Sequence, residues 1–129
     1  RLLCGAGIVN IYQALAEIRG AHPEFSTPGD IGAAAQQESP LAAETMAMFF
    51  AVLGSSAGNL ALTTGAMGGV YIAGGIAPRY IDLLRKSDFR ARFLAKGRFA
   101  DYNTNIGTFV ITNDDPGLLG AALCLGDMR

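Results

Sequence analysis

The sequence contains no tryptophan, one histidine and two cysteines, and only 16% of its 129 residues are charged. Each shortage removes a class of protein. Cys4 and Cys124 lie near opposite ends with no CxxC pair, which excludes a disulfide-built scaffold and a cysteine-based zinc site. They read as reduced cysteines packed as small hydrophobes in a cytoplasmic protein. His22, the lone histidine, has no cluster of cysteines or carboxylates around it in sequence, so a metal site there is not expected. Ten basic against eleven acidic residues give a formal charge of −1, which argues against a protein held mainly by phosphate backbones. There is no GxxxxGK followed by Ser or Thr, hence no P-loop. The opening Arg1-Leu2-Leu3-Cys4-Gly5 carries neither an initiator Met nor the apolar core of a signal peptide. It reads as an internal start, and the expectation is a piece of a longer protein.

What is present is apolar. Half of the residues are hydrophobic and 17 are glycine, which excludes intrinsic disorder. The length suffices for one domain with a real core. A typical soluble domain carries roughly 25% charged residues, so the charge deficit needs an explanation. From Thr45 to Pro78 there is an uncharged stretch of 34 residues, long enough to span a bilayer. Ser55, Ser56, Asn59, Thr63, Thr64 and several glycines interrupt it, however, and no Lys/Arg cluster flanks it on the upstream side. The expectation is a core helix, a glycine turn and a sheet strand in series, with no membrane partner.

Along the chain, Ile8, Ile11, Tyr12, Leu15 and Ile18 fall at helical spacing after Gly5-Ala6-Gly7. Gly20 and Pro23 end that helix, and 21–29 reads as a loop. A short helix follows Thr27 or Asp30. Ser39-Pro40 opens a long one, with Ser39 as N-cap and Pro40 at the first helical position. It is apolar nearly all round, and Gly54 and Gly58, one turn apart, would let another backbone approach closely. Residues 70–73 read as a strand buried on both faces, followed by a helix bearing Tyr80, Ile81, Leu83 and Leu84 and another over 87–96. A second strand covers 108–112. Asp115 and Pro116 then open a last helix to about Leu125. Strand, helix, strand, helix predicts a right-handed crossover between parallel strands. Two strands are too few for a doubly covered sheet, so the fold class expected is α/β, helix-rich, with two parallel strands of a larger sheet.

Two glycine pairs are the candidate ligand sites. Gly74 and Gly75 end a buried parallel strand, where open α/β sheets bind ligands and where a missing Cβ lets a flat ring or a ribose reach the main chain. A tight turn needing positive φ explains the same residues equally well. Gly5 and Gly7 open a helix, and a plain helix-opening turn is the favoured reading there. Seven of the ten basic residues lie between Arg79 and Arg98 on helices that also carry apolar stripes. A solvated face is favoured over nucleic acid. Asp114-Asp115 reads as a helix cap. No catalytic base or metal ligand can be nominated.

The runs Gly58-Asn59-Leu60-Ala61-Leu62 and Gly68-Gly69-Val70-Tyr71-Ile72-Ala73-Gly74-Gly75-Ile76-Ala77-Pro78-Arg79 resemble the C-terminal part of bacterial glucokinases. So do Phe89-Arg90-Ala91, Lys96-Gly97-Arg98-Phe99, Asp115-Pro116-Gly117-Leu118-Leu119-Gly120-Ala121, and the opening Gly5-Ala6-Gly7-Ile8-Val9-Asn10-Ile11-Tyr12. The resemblance covers essentially the whole chain in order. It implies a partial ribonuclease H-like, actin-like ATPase domain, with residues 1–129 the C-terminal part of the large, nucleotide-binding domain. It also implies ATP-dependent phosphorylation of glucose to glucose 6-phosphate in the intact enzyme, a homo-oligomer, and cytoplasmic location.

By the same resemblance Gly74 and Gly75 would line adenine and ribose, Gly5 and Gly7 would lie on the nucleotide's other side, and the helix from Pro116 would connect the domains. ATP would come with Mg²⁺ held by the nucleotide or by residues outside this chain. The family's Asp-Gly-Gly phosphate motif, Asn-Asp catalytic pair, second phosphate turn and Glu-Gly-Gly-His sugar motif are absent. The chain alone is therefore expected to be inactive, since phosphoryl transfer needs positioning, metal and base together. A non-catalytic interaction protein built on a kinase half-fold is the alternative.

Overall fold

Helix boundaries follow the local chemistry. In a computed structural model that describes residues 2–127, α1 (Gly5–Arg19) ends at Gly20, whose left-handed conformation (φ 64°) closes the last turn. The assigned range 1–129 also takes in Arg1, Met128 and Arg129, which lie outside the described residues. α2 (Pro28–Gln36) begins at Thr27, not Asp30: the Thr27 hydroxyl oxygen accepts the Asp30 N–H at 3.2 Å and its O–H donates to the Asp30 carboxylate at 2.6 Å. α3 (Pro40–Thr64) starts after Ser39 and stops at left-handed Gly65. The Ser39 side chain makes no cap hydrogen bond, so Pro40, which has no N–H to leave unsatisfied, marks that start.

The remaining elements are short. They are β1 (Val70–Ile72), α4 (Ile76–Arg79), α5 (Ile81–Lys86), α6 (Phe89–Leu94), a 3-10 turn at Gly97–Phe99, α7 (Ala100–Thr104), β2 (Thr108–Val110) and α8 (Pro116–Asp127). β1 and β2 pair in parallel with Val70 opposite Thr108, Tyr71 opposite Phe109 and Ile72 opposite Val110, as the strand–helix–strand order implied. The ladder continues by one bond at each end, Val70 N–H to Gly107 C=O and Ile111 N–H to Ile72 C=O, both 2.9 Å.

α3 is the axis of the core. Met46, Phe49, Phe50, Ala57 and Ala61 are buried along it, against Ile8, Tyr12 and Leu15 of α1, Ile31 of α2, and Phe89 and Phe93 of α6. Among the described residues it is the one helix long and apolar enough to cross a membrane; one side of it is buried in the core, while Met48 and Leu60 on it are exposed, so it is not covered all round as its composition suggested. Gly54 and Gly58 serve close approach, as their spacing suggested. A Cβ at Gly54 would collide with the Phe89 carbonyl and one at Gly58 with the Phe93 carbonyl, so α6 lies with its backbone on α3.

Several expectations need correction. Ile18 is 75% exposed and Ala16 completes the buried stripe, because this end of α1 lies at the surface where Arg19 pairs with Glu44 at 2.7 Å. β1 is not covered on both faces: Val70 and Ile72 face the core, while Tyr71 is 61% exposed and stacks on Phe109, ring centroids 5.1 Å apart. Cys4 and Cys124 form no disulfide, but both are exposed rather than packed. Cys124 lies on α8, whose leucines also face outward. The strands are three residues long rather than four and five.

Candidate functional site

In a parallel pair both carboxyl ends fall on one edge, so the segments after β1 and β2 must meet there. β1 runs into Ala73-Gly74-Gly75 and then α4. β2 runs into Thr112-Asn113-Asp114-Asp115 and then α8. The Asn113 side-chain oxygen accepts the Asp115 N–H at 2.9 Å, and the Asp115 carbonyl accepts the Leu119 N–H at 3.1 Å. That Asx turn stops the strand and opens the helix. Asp115 thus opens the helix through its backbone, the side-chain bond at this turn being that of Asn113, and Asp114 is left exposed on the neighbouring wall.

Between the two segments lies a crevice of ≈ 530 Å³, with Gly74, Gly75, Pro78 and Arg79 on one side and Thr112, Asn113 and Asp114 on the other. A second crevice, ≈ 230 Å³, lies between the start of α1 and α4, lined by Gly5, Pro28, Gly29, Gly75, Arg79 and Tyr80. Gly75 and Arg79 belong to both. The structure therefore gathers Gly5, Gly74 and Gly75 around adjoining cavities. Gly7 is elsewhere: it is buried, and a Cβ there would collide with the Leu2 carbonyl, so its glycine serves the turn into α1.

The two glycines after β1 differ in kind. Gly74 has φ +111°, a conformation L side chains rarely adopt, which is the turn requirement. Gly75 has φ −80° and ψ −12°, open to any residue, and a Cβ there would meet nothing within 4 Å. Neither backbone conformation nor packing asks for a glycine at 75.

Charge in this region is sparse. Arg79 and Asp114 are the ionisable groups lining the larger crevice, and among the described residues neither has a hydrogen-bond or ion-pair partner. Other members of the basic run are engaged in the fold. Arg90 donates to the carbonyls of Ile106 (2.8 Å) and Thr104 (3.2 Å) and lies over the Phe93 ring. Lys96 donates to the Ser55 carbonyl at 2.9 Å, and burial lowers its pKa. Arg85 reaches Asp82 at 3.5 Å. Lys86 and Arg92 are exposed and, among the described residues, have no hydrogen-bond or ion-pair partner. His22 is exposed in the loop, and among the described residues no three His, Cys, Asp or Glu stand together as a metal site. Sequence reasoning passed over Arg79 as one base in a run and did not nominate Thr112–Asp114 as a site wall. The signal was available, since parallel strands deliver both loops to one edge.

A family model described as Glucokinase matches residues 1–128. The chain is 47% identical over 126 residues to a glucokinase of Hahella chejuensis, covering 97% of this chain and 39% of that protein. It is 48% identical over 130 residues to a glucokinase of Paramagnetospirillum magneticum, covering 100% of this chain and 40% of the relative. In structure it is similar to a crystal structure of glucokinase from an Antarctic psychrotroph, with TM-score 0.85, 38% identity, and coverage of 95% of this chain and 38% of that one. The chain thus spans about 40% of the length of the relatives it matches.

Proposed function

The chain belongs to the glucokinase family, and from that premise we propose that it forms the adenosine side of an ATP-dependent kinase that converts glucose to glucose 6-phosphate. In this reading residues 1–129 are the C-terminal part of a large, actin-like nucleotide-binding domain, in an enzyme that works in the cytoplasm as a homo-oligomer. Adenine and ribose enter the crevice at the carboxyl ends of β1 and β2. Gly74 shapes the turn, Gly75 leaves the main chain bare, and Gly5 bounds the adjoining space, with Gly7 holding the turn from which α1 departs.

The observation that carries the proposal is Gly75, a glycine that fold and backbone do not require, at the wall of a crevice large enough for a nucleoside. Ligands of open parallel sheets bind at this edge. Mg²⁺ would be held by the nucleotide phosphates or by residues outside this chain; among the described residues no three His, Cys, Asp or Glu stand together. Nor do they present a base for the sugar hydroxyl, and the chain by itself binds nucleotide without turning it over.

Titration of the 129-residue chain with ADP, followed by amide NMR, tests this. Shifts are expected to concentrate at Gly74, Gly75 and Thr112–Asp114, and Gly75→Val is expected to weaken binding at least tenfold with an unchanged thermal midpoint. Shifts confined to other surfaces, or full binding by Gly75→Val, would sink the assignment. A coupled assay with glucose and ATP is expected to show no turnover by the isolated chain.

A further inference from the structure

β2 has two edges, and β1 occupies one of them. Val70 N–H donates to Gly107 C=O and Ile111 N–H to Ile72 C=O, so Gly107, Phe109 and Ile111 turn their main-chain groups toward β1. Main-chain groups alternate sides along a strand, and Thr108 and Val110 therefore direct their N–H and C=O away from β1. Among the described residues these four groups have no hydrogen-bond partner. Such a row is a template for one more strand.

Beside β2 lies a cavity of ≈ 170 Å³, walled by Thr108 and Val110 and made apolar by Ile72, Leu84 and Phe89. Two ionisable groups line it, Arg85 and Arg90, and no carboxylate does. Arg90 is anchored on the Ile106 carbonyl at 2.8 Å, which fixes its positive charge at the start of the strand. The Arg85 side chain is 70% exposed, and its contact with Asp82 on its own helix is a long one at 3.5 Å.

We propose that the outer edge of β2 accepts an extended acidic segment of a partner protein as an added strand. Main-chain bonds to Thr108 and Val110 hold the segment, and the cavity takes one aliphatic side chain, the usual division between affinity and specificity in strand addition. Carboxylates two positions to either side of that aliphatic residue lie on the same face and meet the arginines. A second copy of this chain is the poorer occupant, since its own Arg85 and Arg90 would arrive at the same edge and repel these.

The test measures binding of a fluorescein-labelled Glu-Thr-Leu-Thr-Glu peptide to the 129-residue chain by anisotropy, and amide hydrogen exchange by NMR. Saturating peptide is expected to slow exchange at Thr108 and Val110 about tenfold or more, with Phe109 unchanged. Arg85→Glu is expected to weaken the peptide about fivefold. Thr108→Pro removes one outward N–H at the first residue of the strand, leaves the ladder to β1 intact and is expected to cost about tenfold. Circular dichroism checks that both variants fold. A peptide with lysine in place of both glutamates is expected not to bind. The inference is overturned if the acidic peptide fails to bind, binds without protecting Thr108 and Val110, or binds no better than the lysine form. Wild-type affinity in Arg85→Glu overturns it too. So does protection of those amides that grows with the chain's own concentration in the absence of peptide, which would assign the edge to a second copy.

Discussion

Gly74 and Gly75 show how far a single residue can be read. From sequence, a strained turn and a ligand approach explain the pair equally, because glycine is the answer to both. Their dihedral angles separate them: φ +111° at Gly74 is a turn requirement, and φ −80° at Gly75 is not. Lys96 is a second case, since nothing in the run 79–98 distinguishes it from its neighbours. In the fold its ammonium is drawn to the Ser55 carbonyl and burial lowers its pKa below the usual 10.5. Between the folded value and 10.5 the unfolded chain holds the extra proton, so stability rises with pH across that window. Below it, the desolvation cost is present in full. Urea unfolding midpoints measured across the alkaline range are therefore expected to rise relative to those of Lys96→Met as pH approaches 10.5. A difference independent of pH would show that Lys96 is not desolvated.

Elements were most legible where they were long. α1 and α3 declared themselves by apolar spacing, by Gly20 after the one and by Pro40 at the start of the other, and both glycine and proline mark the observed boundaries. The segment between α6 and β2 did not. α7 is five residues long and has no periodicity to detect; it is held by tertiary bonds, with Asn103 buried and donating to the carbonyls of Phe93 (2.8 Å) and Gly58 (3.3 Å), and Arg90 bonding its last carbonyls. The contact that organises these helices is the backbone approach of α6 to α3 at Gly54 and Gly58. At both positions the nearest obstructing atom is a main-chain carbonyl oxygen, of Phe89 or Phe93, which a rotamer change cannot clear; at Gly58 the Lys96 side chain is in the way as well. Gly58→Ala is expected to destabilise the chain by about 1–3 kcal/mol in chemical denaturation, the usual cost of overpacking. A loss under about 0.5 kcal/mol, the range of ordinary surface substitutions, would mean that α6 can lift away freely.

At the scale of the whole molecule the apolar surplus divides in two. Part of it is the interior around α3. The rest is on the surface: Tyr71 and Phe109 stacked on the outer face of the sheet, and Leu118, Leu119, Leu123 and Leu125 exposed along α8. Among the described residues β1 pairs on one edge only. An open strand edge beside an apolar face favours association between chains. Light scattering is expected to show concentration-dependent self-association of the isolated chain, reduced by the double substitution Tyr71→Lys, Phe109→Lys with the helical signal unchanged. A monomer at all concentrations would mean that this face is adequately hydrated as it stands.

The sequence by itself determined the helix-rich α/β class, the order and direction of the two strands, the glycine contacts of α3 and, through motifs that run the length of the chain, the family. These are local or cumulative signals: apolar period, caps, and the spacing of small residues. Tertiary structure decided which face of β1 is covered, which cations of the run 79–98 are bonded to carbonyls, and which of two adjacent glycines has a backbone conformation that requires glycine. Those outcomes depend on what comes to lie across from a residue, and residues as far apart as Gly5, Gly75 and Asp114 meet around one edge only once the chain has folded.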